Sequence, residues 1–204
     1  SGHNRQEYNR CKHVLTEMVG KPAKQDGQLI MFLTGPGGSG KSEVINQLLL
    51  YAQEYCSNIQ YPFTSKTILV TAYSGVAATL IHGQTLHSAT FLAKKKKNID
   101  PDEKAKFQNS VRLLIVDEVS LMKPSDIKQL NERVNYLMDH PTAKYGGVDI
   151  AFMGDFRQLP PIGVKPIYDN RNLVQFTTYI NCFIELYGMY RFKDDPDFGN
   201  ICKR

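Results

Sequence analysis

Gly35-Pro36-Gly37-Gly38-Ser39-Gly40-Lys41-Ser42 is the stretch of this 204-residue chain whose types and spacing most directly suggest chemistry. It fits G-x-x-x-x-G-K-[ST], in which glycines let the backbone curl until its N–H groups face an anion. On this reading Gly35, Gly37, Gly38, Ser39 and Gly40 cradle phosphates. Lys41 reaches the β/γ-phosphates, and Ser42 offers its hydroxyl to Mg²⁺. A second pair, Asp117-Glu118, closes an aliphatic run. Asp117 is a candidate metal carboxylate and Glu118 a candidate base for an attacking water. A third stretch, Gly154-Asp155-Phe156-Arg157-Gln158-Leu159-Pro160-Pro161, places the Gln158 amide where it could sense a γ-phosphate.

The elements that must position these groups can be read from apolar patterning. Leu29-Ile30-Met31-Phe32-Leu33 is a buried strand before the glycine loop, and a helix follows to about Cys56. Lys66 to Val70, Arg112 to Val116, Val148 to Met153 and Phe183 to Leu186 are further strands. Tyr8, Cys11, Val14, Leu15, Met18 and Val19 form one face of a helix over residues 6–19. Ser74 to Ile81 can start a helix with Ser74 as N-cap, and Pro124 opens another through Met138. Residues 94–110 are polar and lysine-rich, and are expected to be a mobile excursion with at most a short helix. Alternating strands and helices predict an α/β domain with a mostly parallel sheet. Polar motifs after four of the strands then converge on the carboxyl edge, where ligands of open α/β sheets bind.

Bulk composition excludes some classes. Hydrophobic residues make up 42%, enough for a core, and no apolar run reaches the length of a membrane span. The four cysteines have no C-x-x-C pairing, so disulfide and metal roles are not expected and reduced thiols of an intracellular protein are. Net charge is +5, but Lys94 to Lys97 supplies four of those charges and leaves +1 elsewhere. Charge alone is therefore a weak argument for a nucleic-acid partner.

The motifs together carry more. The glycine loop, Thr71-Ala72-Tyr73-Ser74-Gly75-Val76-Ala77-Ala78, Thr85-Leu86-His87-Ser88, Ile115 to Ser120 and Gly154 to Pro161 occur in the order of superfamily 1 helicases. They resemble the Pif-type (Pif/RecD-like) DNA helicases and their Helitron relatives, over roughly residues 5–192. The resemblance implies a RecA-like P-loop NTPase fold and ATP with Mg²⁺. It also implies 5′-to-3′ movement on single-stranded DNA. It puts Gln6 where adenine is read, Tyr190 where an aromatic packs on adenine, and Arg191 where a finger stabilises the transferred phosphoryl. DNA contacts fall on Thr71, Tyr73, Ser74, Thr85, His87 and Ser88, although core packing at the strand end serves Thr71 and Tyr73 equally well.

Residues 1–4 read as a cloning remnant or a flexible N-terminus, and 5–204 as the first RecA-like domain. A second RecA-like domain is the expected partner, and the fragment is expected to be monomeric and unable to unwind duplex alone. A nuclear or mitochondrial location is implied by the family only. A P-loop kinase, a GTPase (whose Asn-Lys-x-Asp is absent) and a non-catalytic DNA-binding module are the rival readings.

Overall fold

The computed structural model describes residues 27–156, Gly163, Ile167 and residues 179–187. Among the described residues six strands form one sheet: β1 Ile30–Thr34, β2 Ile68–Ala72, β3 Gln84–Thr85, β4 Leu113–Asp117, β5 Asp149–Gly154 and β6 Cys182–Glu185. Their spatial order is β3-β2-β4-β5-β1-β6, and every pairing among them is parallel. The helices are α1 Lys41–Asn58, α2 Gly75–Leu80, α3 Leu86–Ala89, α4 Pro101–Ser110 and α5 Pro124–Met138.

Apart from Thr34, Asp117 and Asp149 at their ends, β1, β4 and β5 are built of apolar residues and glycine, because both faces of the sheet are covered there. Side chains alternate across a strand, so each run feeds two cores. Ile30, Phe32, Leu114, Val116, Ile150 and Phe152 pack under α3, α4 and α5, with Phe107, Leu130 and Val134 opposite. Met31, Leu33, Val70, Ile115, Ala151 and Met153 face the other way, against Ile45, Leu48 and Ala52 of α1 and Ala77 and Ala78 of α2. Among the described residues no helix is long and apolar enough to cross a membrane.

Two expectations need correction. Residues 94–110 contain a 3₁₀ turn, Lys96–Asn98, and the ten-residue α4. Asp100 caps α4 by accepting from Asp102 N, Pro101 takes the first turn, and Phe107 and Ile99 are buried. The lysine run is tied down by its backbone. Arg133 Nη2 donates to Lys94 O at 2.7 Å and Tyr136 Oη to Lys96 O at 3.1 Å. The second correction concerns strand ends. β2 runs to Ala72 rather than Val70, because Thr71 and Ala72 pair with Val116 and Asp117. That extension puts Thr71 inside the sheet.

At the opposite, amino-terminal edge, Asp149 Oδ1 accepts from Leu29 N at 2.6 Å and locks β5 to the start of β1. Burial pushes this carboxyl up to about 6, against the pull of the Leu29 amide. A raised folded-state value means the group favours folding most below its ordinary value and loses that contribution as pH rises through about 6. Asp149→Asn keeps an acceptor for Leu29 without the charge. It should stabilise the fold by about 1–3 kcal/mol at pH 7, and the gain should vanish near pH 4. Urea unfolding of both proteins at the two pH values checks this; an equal difference at both would reject it.

Candidate functional site

The loop from Gly35 to Gly40 turns sharply between β1 and α1. Gly38 (φ 81°) and Gly40 (φ 97°) lie in the left-handed region that favours glycine. Gly35 needs its missing side chain for a different reason: a Cβ there would lie 2.5 Å from Ser39 Oγ and 3.0 Å from Leu186 Cβ. Ser39 N closes the turn on Pro36 O at 3.1 Å. Gly40 precedes α1 and gives it no side-chain cap, so the first amides of an 18-residue helix are not capped from that side.

Two features fit this cradle to a phosphate. Ser39 Oγ is buried and has no hydrogen-bond partner among the described residues, a costly state that a ligand oxygen would relieve. Lys41 Nζ donates to Gly35 O at 2.5 Å and Pro36 O at 3.2 Å, so the ammonium lies over the loop's own carbonyls. Ser42 is exposed at the start of α1. Gly37 is half-buried in the turn.

Asp117 ends β4, with β5 between it and the loop strand. Burial pushes its carboxyl up, the Glu118 amide and the nearby Lys41 ammonium pull it back, and the Glu118 charge adds to the rise. Glu118 N donates to Asp117 Oδ1 at 2.8 Å. Glu118 itself is left-handed (φ 58°, ψ 37°), an uncommon state for a residue with a side chain. Lys41, Ser42, Asp117 and Glu118 thus belong to one edge of the sheet. Gly154 allows this packing, because a Cβ there would meet Val119 Cγ1 at 2.9 Å. Among the described residues no cluster of three or more His, Cys, Asp or Glu could hold a metal. A metal here would instead need Ser42, Asp117 and ligand oxygens.

The six candidate DNA contacts separate into different situations. Thr71 is fully buried and donates its hydroxyl to Ile115 O at 2.6 Å, which fits the core-packing alternative for this residue. Tyr73 is half-buried. Its hydroxyl donates to Asp126 Oδ2 at 2.7 Å and its ring meets His87 edge-on at 5.7 Å between centroids. Burial first, then Asp126, pushes the Tyr73 hydroxyl up to about 12. Ser74 caps α2 by accepting from Ala77 N and donates to Glu118 Oε2 at 2.5 Å. Thr85 caps α3 by accepting from Ser88 N at 3.2 Å, and His87 and Ser88 are exposed there. Gln6, Gln158, Tyr190 and Arg191 lie outside the described residues. Sequence reading missed Asp126 as the anchor of Tyr73; nothing in the spacing joins residues 53 positions apart.

A parallel sheet with a glycine loop and helix after one strand, and an acidic pair after another, defines a P-loop domain of RecA type. The chain belongs within that class to the PIF1-like helicase family, whose model matches residues 8–181. It is 31% identical to the ATP-dependent DNA helicase PIF1 of Emericella nidulans, over 93% of this chain and 25% of that protein. The crystal structure of Pif1 helicase from Candida albicans superposes with a TM-score of 0.67 at 27% identity, covering 95% of this chain and 42% of the other. A Bacteroides Pif1 helicase, solved in complex with ADP-AlF3 and ssDNA, shares the fold with a TM-score of 0.63 at 21% identity, over 93% and 44%. The chain therefore spans about a quarter of the curated relative and less than half of the solved ones.

Proposed function

We propose that this chain is the first RecA-like motor domain of an ATP-dependent DNA helicase, which hydrolyses ATP to move 5′-to-3′ on single-stranded DNA. The observation that carries the reading is the meeting of the phosphate loop, Lys41, Asp117 and Glu118 at one sheet edge, in a chain of the PIF1-like helicase family. The Bacteroides relative's complex with ADP-AlF3 and ssDNA supports the same substrates here.

In this reading the loop amides and the Ser39 hydroxyl bind the phosphates. Lys41 leaves Gly35 O and Pro36 O for the β/γ oxygens. Ser42 and Asp117 would hold Mg²⁺, which when bound neutralises phosphate charge. Glu118 takes a proton from water as it attacks in line, and the remaining work is positioning and electrostatics. Gln158 senses the γ-phosphate, Arg191 meets the developing charge, and Gln6 and Tyr190 hold adenine. Ser74, Thr85, His87 and Ser88 contact the DNA backbone, with Tyr73 anchored behind them. A second RecA-like domain supplies the other wall of the cleft.

The test is phosphate release by the full-length protein, with and without single-stranded DNA. A clear stimulation by DNA, with ATP preferred over GTP, is the expected result. Release indifferent to DNA would favour a kinase-like enzyme, and nucleotide binding without any release would favour a non-catalytic module.

A further inference from the structure

We propose that Ser74 is a positioning residue that restrains Glu118 until a DNA phosphate claims the Ser74 hydroxyl, so that DNA binding frees the base for hydrolysis. The proposal rests on the motor reading above. It names the contact through which the DNA side and the ATP side of this domain communicate.

β2 and β4 are neighbours, with Ala72 opposite Asp117. The residues that follow the two strands therefore emerge side by side. Tyr73 N donates to Asp117 O at 3.1 Å, which continues the pairing by one step. Ser74 Oγ then donates to Glu118 Oε2 at 2.5 Å. On the far side Tyr73 Oη holds Asp126, whose Oδ2 also accepts from Lys123 N at 2.9 Å. The segment that carries the candidate DNA contacts is thus bonded both before and after the turn Val119–Leu121 that follows Glu118.

A hydroxyl has one proton to donate. Ser74 gives it to Glu118 and uses a lone pair for Ala77 N. It cannot give the same proton to a phosphate. An approaching phosphate oxygen and the Glu118 carboxylate therefore compete for it. Among the described residues access is open, since Gly75 is exposed and a Cβ there would meet none of their atoms within 4 Å. While Ser74 holds Glu118 Oε2, that oxygen is occupied and is turned toward the end of β2. The backbone offers little freedom to compensate, because Glu118 N is held by Asp117 Oδ1. Release of the hydroxyl leaves the carboxylate free to turn to water. By reciprocity, whatever removes Glu118 as an acceptor must make Ser74 a better ligand for DNA.

That reciprocity gives a test that needs no hydrolysis. Binding of a fluorescent oligo(dT) is measured by anisotropy for the wild type, Glu118→Ala, Ser74→Ala and the double variant. Glu118→Ala should tighten binding by about fivefold beyond its effect in the Ser74→Ala background. The background comparison cancels the general gain from deleting a negative charge. Ser74→Thr keeps the hydroxyl and should behave as wild type. In the full-length protein Ser74→Ala should also raise phosphate release without DNA and shrink the stimulation by DNA. A cap lost from α2 would lower the melting temperature but would not move that ratio. Oligo(dT) binding with an additive cycle overturns this proposal alone. No oligo(dT) binding by the wild type overturns the motor reading and this proposal with it.

Discussion

Lys41→Ala should weaken ATP binding by about a hundredfold, since two charge-assisted hydrogen bonds to phosphate contribute on the order of 3 kcal/mol. The lysine's position explains why the loss is large. Its ammonium already sits over Gly35 O and Pro36 O, so binding exchanges one set of oxygens for another with little reordering. Truncation removes the charge and leaves two carbonyls without that donor. A further consequence falls on Asp117. Burial already pushes its carboxyl up, and Lys41 is one of the groups that pull it back. Without Lys41 the carboxyl should rise further, so any metal dependence of residual binding should move to higher pH. Titration of a fluorescent ATP analogue at several pH values checks both parts. Affinity within about threefold of wild type would remove the loop from the site.

The phosphate loop and the sheet were legible for a shared reason. Strands buried on both faces are apolar along their interiors, so β1, β4 and β5 stand out against any background. The loop glycines are required by local backbone geometry, which sequence reports directly. The segment 94–110 was illegible because α4 buries a single side chain, Phe107, and has no apolar period to detect. Its start signal, Asp100 before Pro101, was present and was outweighed by the lysines. β3 is two residues long and its pairing with β2 carries the evidence for it, not its composition. Thr71 was ambiguous because a hydroxyl at a strand end serves a neighbour's carbonyl as readily as a phosphate. The contacts Ser74 to Glu118 and Tyr73 to Asp126 join residues 44 and 53 positions apart. They follow from β2 lying next to β4, which strand order in the chain does not specify.

Glu118→Gln should lower phosphate release by about 10²–10⁴-fold while ATP affinity stays within a few-fold. The substitution separates the base from its surroundings. Glutamine has the same length, and its amide oxygen can still accept from Ser74 Oγ. The left-handed backbone at φ 58° costs glutamine what it costs glutamate, so stability should change little. Only the proton-accepting charge is lost. A carboxylate that merely pins the turn onto β2 would predict a near wild-type rate in Glu118→Gln. The strain is informative in the same direction. Glycine would hold this backbone at lower cost, and a chain selected for a stable turn alone would favour it. Glu118→Gly should therefore be at least as stable as wild type and as slow as Glu118→Gln. Thermal unfolding beside single-turnover release distinguishes the two roles. A Glu118→Gly variant that unfolds early but hydrolyses normally would mean that the glutamate serves the turn and another group accepts the proton.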